Sequence, residues 1–471
     1  MHYRTLFDTG TYVQRRSALL SDLSARTGGI VLLPGHTESP VNYPDNCYPF
    51  RQDSTFLYFF GHDVPDMAGT LDLDSGEVML WGTDATMDDI IWTGPVPAMA
   101  ERAERCGAAW GGDATALMAY VGGAASSGRT IHYLPPYRAE TRELLTRLTG
   151  IAGSDLPRRV SQPLTGAVVT LRSVKTAEEV AEIESALAIS HEMYMTAMRT
   201  VRPGMTERAL CGTLQGIAAS AGSGMHSFRT ILTVRGETLH NHGHACTMQD
   251  GDLLLIDSGA ESLRRYASDI TRTLPVSGRF SGRQKAIYET VLNAQLAGIA
   301  RATAGRRFLD AHLAAAQVMV EGLKEAGIMK GNTQDAVAEG AHALFFPHGL
   351  GHMMGLDVHD MEHLGEDNAG YAGEVERSRQ FGLRGLRLAR TLHEGFVLTV
   401  EPGVYFIPDL IARWTGERRC ADFICYDRLH EWSGFGGIRI EDDVLVTAGG
   451  PQVLGRPIPK TVREIEEAMR G

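Results

Sequence analysis

The chain has 471 residues, 43% of them hydrophobic and 22% charged, with a formal net charge of −12. Single cores stop growing at about 250–300 residues, so this length predicts two domains. The acidic balance argues against nucleic-acid or anionic-membrane partners, which need a basic footprint.

The six cysteines, at 47, 106, 211, 246, 420 and 425, form no C-x-x-C pair. They predict neither a disulfide framework nor a zinc ribbon, and isolated thiols fit a reducing cytoplasm. Residues 1–16 lack the apolar centre of a signal peptide. No run of about 18 apolar residues predicts a membrane-spanning helix.

Residues 1–160 alternate short apolar runs with helical stretches. Strands are predicted over 29–33, 68–73, 77–81 and 130–134, and helices over 15–26 and 141–149. This mixture predicts a small N-terminal α/β domain. Residues 150–166, rich in Gly, Ser and Pro with broken periodicity, read as a linker.

From 172 to 471 the order changes. Residues 175–201 carry apolar positions at 180, 183, 187 and 194 between charges, an amphipathic helix stopped by Arg202-Pro203-Gly204. Similar helices are predicted over 206–221, 282–304 and 309–326. Strands follow over 252–256, 267–273, 397–400 and 438–446. Helices first and hairpin-type strands after them predict an α+β domain. The charged run 374–390 reads as a solvated excursion, Arg387 excepted.

Five ionisable groups sit where a purely structural sequence would not place them. Asp257 ends the apolar run Leu253-Leu254-Leu255-Ile256, and Asp269 follows twelve residues later in Ser268-Asp269-Ile270-Thr271. Two strands joined by the loop 261–265 would set these carboxylates side by side. Like charges that close repel, so the pairing points to a cation between them.

Glu401 follows Leu398-Thr399-Val400 and precedes a Pro-Gly turn. Glu441 lies two residues after Arg439, on the same strand face, where the guanidinium can hold a carboxylate ligand. His352 closes His348-Gly349-Leu350-Gly351-His352, whose glycines permit close backbone approach. Singly, an Asp at a strand end is a turn former and a lone His a core residue. Four carboxylates and one imidazole, all at strand ends or glycine turns, point instead to a divalent transition metal. Two ions about 3.5–4 Å apart would share Asp269 and Glu441 and hold a bridging hydroxide.

Other patterns fail. Gly349-x-Gly351-x-x-x-Gly355 is one residue too long for a dinucleotide fingerprint. Neither G-x-S-x-G nor H-E-x-x-H occurs.

Taken in order, Leu255-Ile256-Asp257-Ser258-Gly259, Ser268-Asp269-Ile270-Thr271-Arg272-Thr273, His348 to His352 running into Gly355-Leu356-Asp357-Val358-His359-Asp360, Thr399-Val400-Glu401-Pro402-Gly403 and Gly437 to Asp442 resemble one family. It is the proline-specific branch of the pita-bread metallopeptidases, aminopeptidase P and prolidase. Residues 42–61 resemble the N-terminal domain of the same branch. Creatinase shares the fold without this metal set, and methionine aminopeptidase shares the metals without the large N-terminal domain.

The resemblance implies a pita-bread catalytic domain over 172–471 and two divalent ions. Manganese is expected, with zinc, cobalt or iron as alternatives. The implied ligands are Asp257, Asp269, His352, Glu401 and Glu441, with Glu401 also relaying a proton. It implies substrate contacts from His240, His348 and His359, with His359 as oxyanion donor, and a catalytic part for Arg439. His242 and His244 are expected to be structural or solvated. The hairpin between Asp257 and Asp269 is one residue longer than the family's pattern.

The implied activity is hydrolysis of Xaa-Pro bonds at the N-terminus of short peptides by a cytoplasmic homodimer or larger homo-oligomer. Two rivals remain. Arg387, in Leu386-Arg387-Leu388-Ala389-Arg390, matches a position where prolidases bind a dipeptide's carboxylate, which implies an Xaa-Pro dipeptidase. A catalytically inactive binding homologue would have lost ligands, and all five stand here.

Overall fold

The computed structural model describes residues 7–470. Internal contacts divide the chain into two units, Met1–Arg172 and Ser173–Gly471.

The first unit is built on a five-stranded mixed sheet. Its strands are β1 (Ile30–Pro34), β2 (Ala68–Asp72), β3 (Val78–Trp81), β4 (Ala109–Gly112) and β5 (Ile131–His132), in the order β4-β3-β2-β1-β5. The strands predicted from apolar runs are all present, the last shortened to two residues. Four helices, Ser54–Phe60, Met87–Thr93, Met99–Arg105 and Ala114–Ser126, and strand β4 escaped the periodicity argument, the first because its aromatic run is buried on every side and shows no polar face. Asp53 caps it, accepting from the Thr55 and Phe56 N–H groups, and Gly61 ends it at φ +73°.

The 150–166 stretch read as a linker belongs to this unit. Leu156 is buried with Leu32, Trp81, Val121 and Leu148, and the Tyr133 hydroxyl donates to its carbonyl at 3.0 Å. The helix Gln162–Ser173 follows directly.

The second unit opens with helices Ala177–Thr200 and Glu207–Ala219 and continues with Gly282–Arg301 and Phe308–Glu325, close to the predicted spans. A capping box between Thr176 and Glu179 fixes the first start. Strands β6 (Ile231–Thr233), β7 (Leu253–Ser258) and β8 (Ile270–Pro275) form an antiparallel sheet. Strands β9 (Val397–Val400), β10 (Gly403–Tyr405), β11 (Gly437–Arg439), β12 (Asp442–Thr447) and β13 (Gly450–Val453) make two further sheets, β13-β12-β9 and β10-β11. The single strand predicted over 438–446 is two, because the chain leaves β10 at Arg439 and joins β9 at Asp442. Glu441 falls in the step between them and bridges to Thr271 of β8.

The 374–390 excursion is not simply solvated. Leu386, Leu388 and Ala389 are buried, and Tyr371, on a π-type turn, donates from its hydroxyl to the Leu386 carbonyl at 2.9 Å.

A buried ion pair ties the start of this unit to the loop that follows His352. Lys175 Nζ donates to Asp360 Oδ2 at 2.9 Å, and both side chains are only 1% exposed. Gly355 passes so close that a Cβ there would lie 2.5 Å from Asp360 Oδ2. Lys175→Met removes the cation and leaves the buried carboxylate behind, and should lower stability by about 3–5 kcal/mol, read from urea denaturation of the whole chain.

In the first unit, burial alone would raise Asp72, but hydrogen bonds from Arg129 and from the Ser75 and Asp74 N–H groups overcome it and hold the carboxyl at about 2, below its ordinary 3.8. A depressed folded value contributes stability that is present above the unfolded value and lost as pH falls through the folded one. Asp72→Asn should therefore weaken the dependence of stability on pH between about 4 and 2, measured by acid titration of the circular dichroism signal.

Candidate active site

Strand register assembles the site. Asp257 of β7 stands opposite Thr271 of β8, and Thr271 bridges to Glu441, so three residues line up across three segments. Side chains two apart on a strand share a face, which places Asp269 diagonally beside Asp257. Asp442 pairs with Val400, so the next positions along, Glu441 and Glu401, face each other. His352 arrives on the glycine turn. Gly351 packs so tightly that a Cβ would lie 2.0 Å from the Thr399 carbonyl oxygen.

All five predicted ligands line one cavity of about 390 Å³, together with His240, His242, His348, His359, Arg387 and Arg439. His352 Nε2 lies 3.4 Å from Asp269 Oδ2 and 3.7 Å from Glu401 Oε1. Candidate ligand atoms of Asp269, His352 and Glu441 lie within 4.8 Å of one another. His352 donates from Nδ1 to the Met353 carbonyl at 3.0 Å, which leaves Nε2 as the lone-pair nitrogen.

The donor set fits cations. Asp257 Oδ1, Asp269 Oδ1 and Glu441 Oε1 are buried with no hydrogen-bond partner, three acceptors that ordinary packing would have satisfied. Burial pushes the Asp269 carboxyl well up, and the charges of Asp257, Asp443 and Glu401 push it further. Glu441 is raised by burial and by Asp269, Glu401 and Asp257. Glu401 is raised by burial too, though His352 and Arg439 oppose it. Four carboxylates this close are stable as anions only around positive charge.

Arg439 supplies part of that charge, but not where period two suggested. Its Nη2 donates to Asp257 Oδ2 at 2.5 Å, while Glu441 is held by the Thr271 hydroxyl at 2.6 Å. Its Nη1 donates to the Tyr405 hydroxyl at 2.9 Å. Tyr405 in turn donates to His348 Nε2 at 2.9 Å, because His348 Nδ1 already donates to the Gly349 carbonyl at 2.8 Å. Both ring nitrogens of His348 are thus engaged within the protein, and burial pushes this imidazole down to about 3.

The other predicted histidines differ in how they are held. His359 packs against His352 with ring centroids 4.1 Å apart and donates from Nδ1 to Glu362 Oε2 at 3.0 Å, so its Nε2 is the lone-pair nitrogen. His240 stacks on His242 at 6.4 Å. His242 and His244 each bond through Nδ1 to a backbone carbonyl, of Thr230 and Leu232. His242 also lines the cavity. Arg387 lines it as well and is paired with Glu362 at 2.5 Å and Glu366 at 3.2 Å.

Sequence reasoning missed Thr271, Tyr405 and Glu362. Thr271 stands two residues after Asp269 and was legible by the same period-two argument. Tyr405 lies beyond a Pro-Gly turn that hides its phase. Glu362 carries no signal at all.

Comparison with known proteins agrees along nearly the whole chain. The metallopeptidase family M24 model matches residues 181–448, and the aminopeptidase P N-terminal domain model matches residues 12–132. Human (Homo sapiens) Xaa-Pro dipeptidase is 33% identical over 462 residues, 95% of this chain and 90% of its own. A probable Xaa-Pro aminopeptidase of Uncinocarpus reesii is 32% identical over 458 residues, 94% of this chain and 90% of its own. The structure of Pseudomonas aeruginosa aminopeptidase PepP matches with a TM-score of 0.79 at 30% identity over 99% of both chains. Zinc-substituted E. coli aminopeptidase P in complex with product matches with 0.79 at 28% over 98% of both. A buried carboxylate and imidazole cluster where separate strand pairings meet, and likeness along almost the whole chain, make this protein a member of the M24 metallopeptidase family, in the branch of Xaa-Pro aminopeptidases and dipeptidases, with the pita-bread fold.

Proposed function

We propose that the chain is an Xaa-Pro aminopeptidase that removes the first residue from short peptides with proline in second position. The observation that carries this reading is the convergence of Asp257, Asp269, His352, Glu401 and Glu441 on one cavity, with His240 and His359 beside them. These five would hold two divalent ions, manganese first and zinc, cobalt or iron as alternatives. Bound there, such ions supply Lewis acidity and lower the pKa of water.

The chain's own residues divide the remaining work. Arg439 holds Asp257 in place and, through Tyr405, fixes the ring of His348. A bond to proline is a tertiary amide with no N–H, so the enzyme must recognise the ring and the flanking carbonyls. His240 and His359 face that task from the cavity wall, His359 through Nε2. Glu401 takes the proton released when water adds to the carbonyl carbon and passes it to the proline nitrogen, which leaves as a secondary amine.

The dipeptidase reading keeps one specific support, because Arg387 lines the cavity and a guanidinium is the natural partner of a terminal carboxylate. Among the described residues no helix is long and apolar enough to cross a membrane. A cytoplasmic setting is part of the proposal.

Exhaustive chelation should abolish cleavage of Xaa-Pro-Yaa peptides, and Mn²⁺ should restore it, with metal content followed by mass spectrometry and products by chromatography. Full activity of protein shown to be metal-free would overturn the mechanism. We further propose a homodimer or larger assembly; light scattering should give a multiple of the 51.2 kDa chain mass, and a monomer at assay concentration would refute this.

A further inference from the structure

One carboxylate behind the cavity engages two cavity residues at once. Glu362 Oε2 accepts from His359 Nδ1 at 3.0 Å and from Arg387 Nη1 at 2.5 Å. Glu366 Oε1 adds a second anion to the same guanidinium at 3.2 Å, and its Oε2 is held by Arg377 at 3.0 Å. Arg377 is itself anchored to the carbonyls of Arg384 and Leu386 and lies over the Tyr371 ring at 4.4 Å. The pairing is therefore braced by packed structure and not by two loose surface side chains. Two carboxylates face Arg387, so the guanidinium that a dipeptide's terminal carboxylate would seek is already neutralised from within.

We propose that Glu362 is a specificity-determining residue. It occupies Arg387 with an internal anion and thereby favours peptides that continue beyond proline over free Xaa-Pro dipeptides. A dipeptide must displace Glu362 from Arg387 or leave its own carboxylate beside two acids. A longer peptide presents a neutral amide carbonyl at that point and meets neither penalty. The same contact makes Glu362 a positioning residue for His359, since it takes Nδ1 and directs Nε2 to the substrate. The inference rests on the Xaa-Pro peptidase reading.

Glu362→Gln separates the two parts. Its amide oxygen still accepts from His359, while the nearer of the two anions that hold Arg387 is gone and only Glu366 remains. With manganese-loaded enzyme and the substrates Ala-Pro, Ala-Pro-amide and Ala-Pro-Ala, the variant should raise kcat/KM for Ala-Pro relative to Ala-Pro-Ala about tenfold, the change falling on KM. Ala-Pro-amide should follow the tripeptide. Adding Arg387→Ala should erase the gain. Titration calorimetry of chelated protein with Ala-Pro should show a similar tightening without turnover. Glu362→Ala, which also frees the His359 ring, should lower kcat for every substrate, and Glu362→Asp should recover part of it. A Glu362→Gln ratio within twofold of the parent, with an unchanged melting temperature, overturns the proposal. If the metal-loaded parent cleaves none of these peptides, the peptidase reading itself fails and this inference falls with it.

Discussion

The catalytic unit is organised around one electrostatic conflict. Four carboxylates, Asp257, Asp269, Glu401 and Glu441, are brought to one buried cavity, where burial and their neighbours' charges raise Asp269, Glu401 and Glu441. A fold tolerates such crowding only if positive charge is delivered to the same place. Arg439 is the part of the answer that is written into the chain, and the three unpartnered carboxylate oxygens mark what it leaves undone. Much of the surrounding structure follows. Thr271, Asp443 and the Met353 carbonyl each hold one member of the cluster in a fixed pose. The glycine at 351 lets the backbone of His352 come against Thr399.

The cluster is not isolated from the substrate side of the cavity. Asp257, Arg439, Tyr405 and His348 form one line of hydrogen bonds. The pose of Asp257 is thereby linked to the ring of His348 through Arg439 and Tyr405. On the other side, His359 touches both His352 and Glu362, and Glu362 reaches Arg387. The carboxylate cluster and the histidine wall thus share contacts, and a substitution in one is expected to disturb the other.

How much of this was legible in the sequence depends on the scale of the interaction. Helix spans in the second unit were readable because amphipathic period and capping residues are local. The five clustered residues were readable because the ionisable groups stood at strand ends or on a glycine turn. What was not readable involves pairing between distant segments. Nothing local says that 438–446 must break at Glu441 to change sheets, or that Arg439 reaches across to Asp257 in place of its strand neighbour. Residues 150–166 looked like a linker because Gly, Ser and Pro break their periodicity, yet Leu156, with Ile151 and Val160 against the same core, docks the segment. The charged run 374–390 looked solvated because ion pairs such as Arg377 with Glu366 are invisible until their partners are placed.

The spacing of the clustered residues along the chain has a consequence for assembly. Asp257 and Asp269 are synthesised well before Glu401 and Glu441, and the imidazole comes between them. No segment shorter than most of the second unit contains a complete set. The cluster therefore exists only once the second unit has folded as a whole, and a fragment ending before Glu401 carries at most three of its five members.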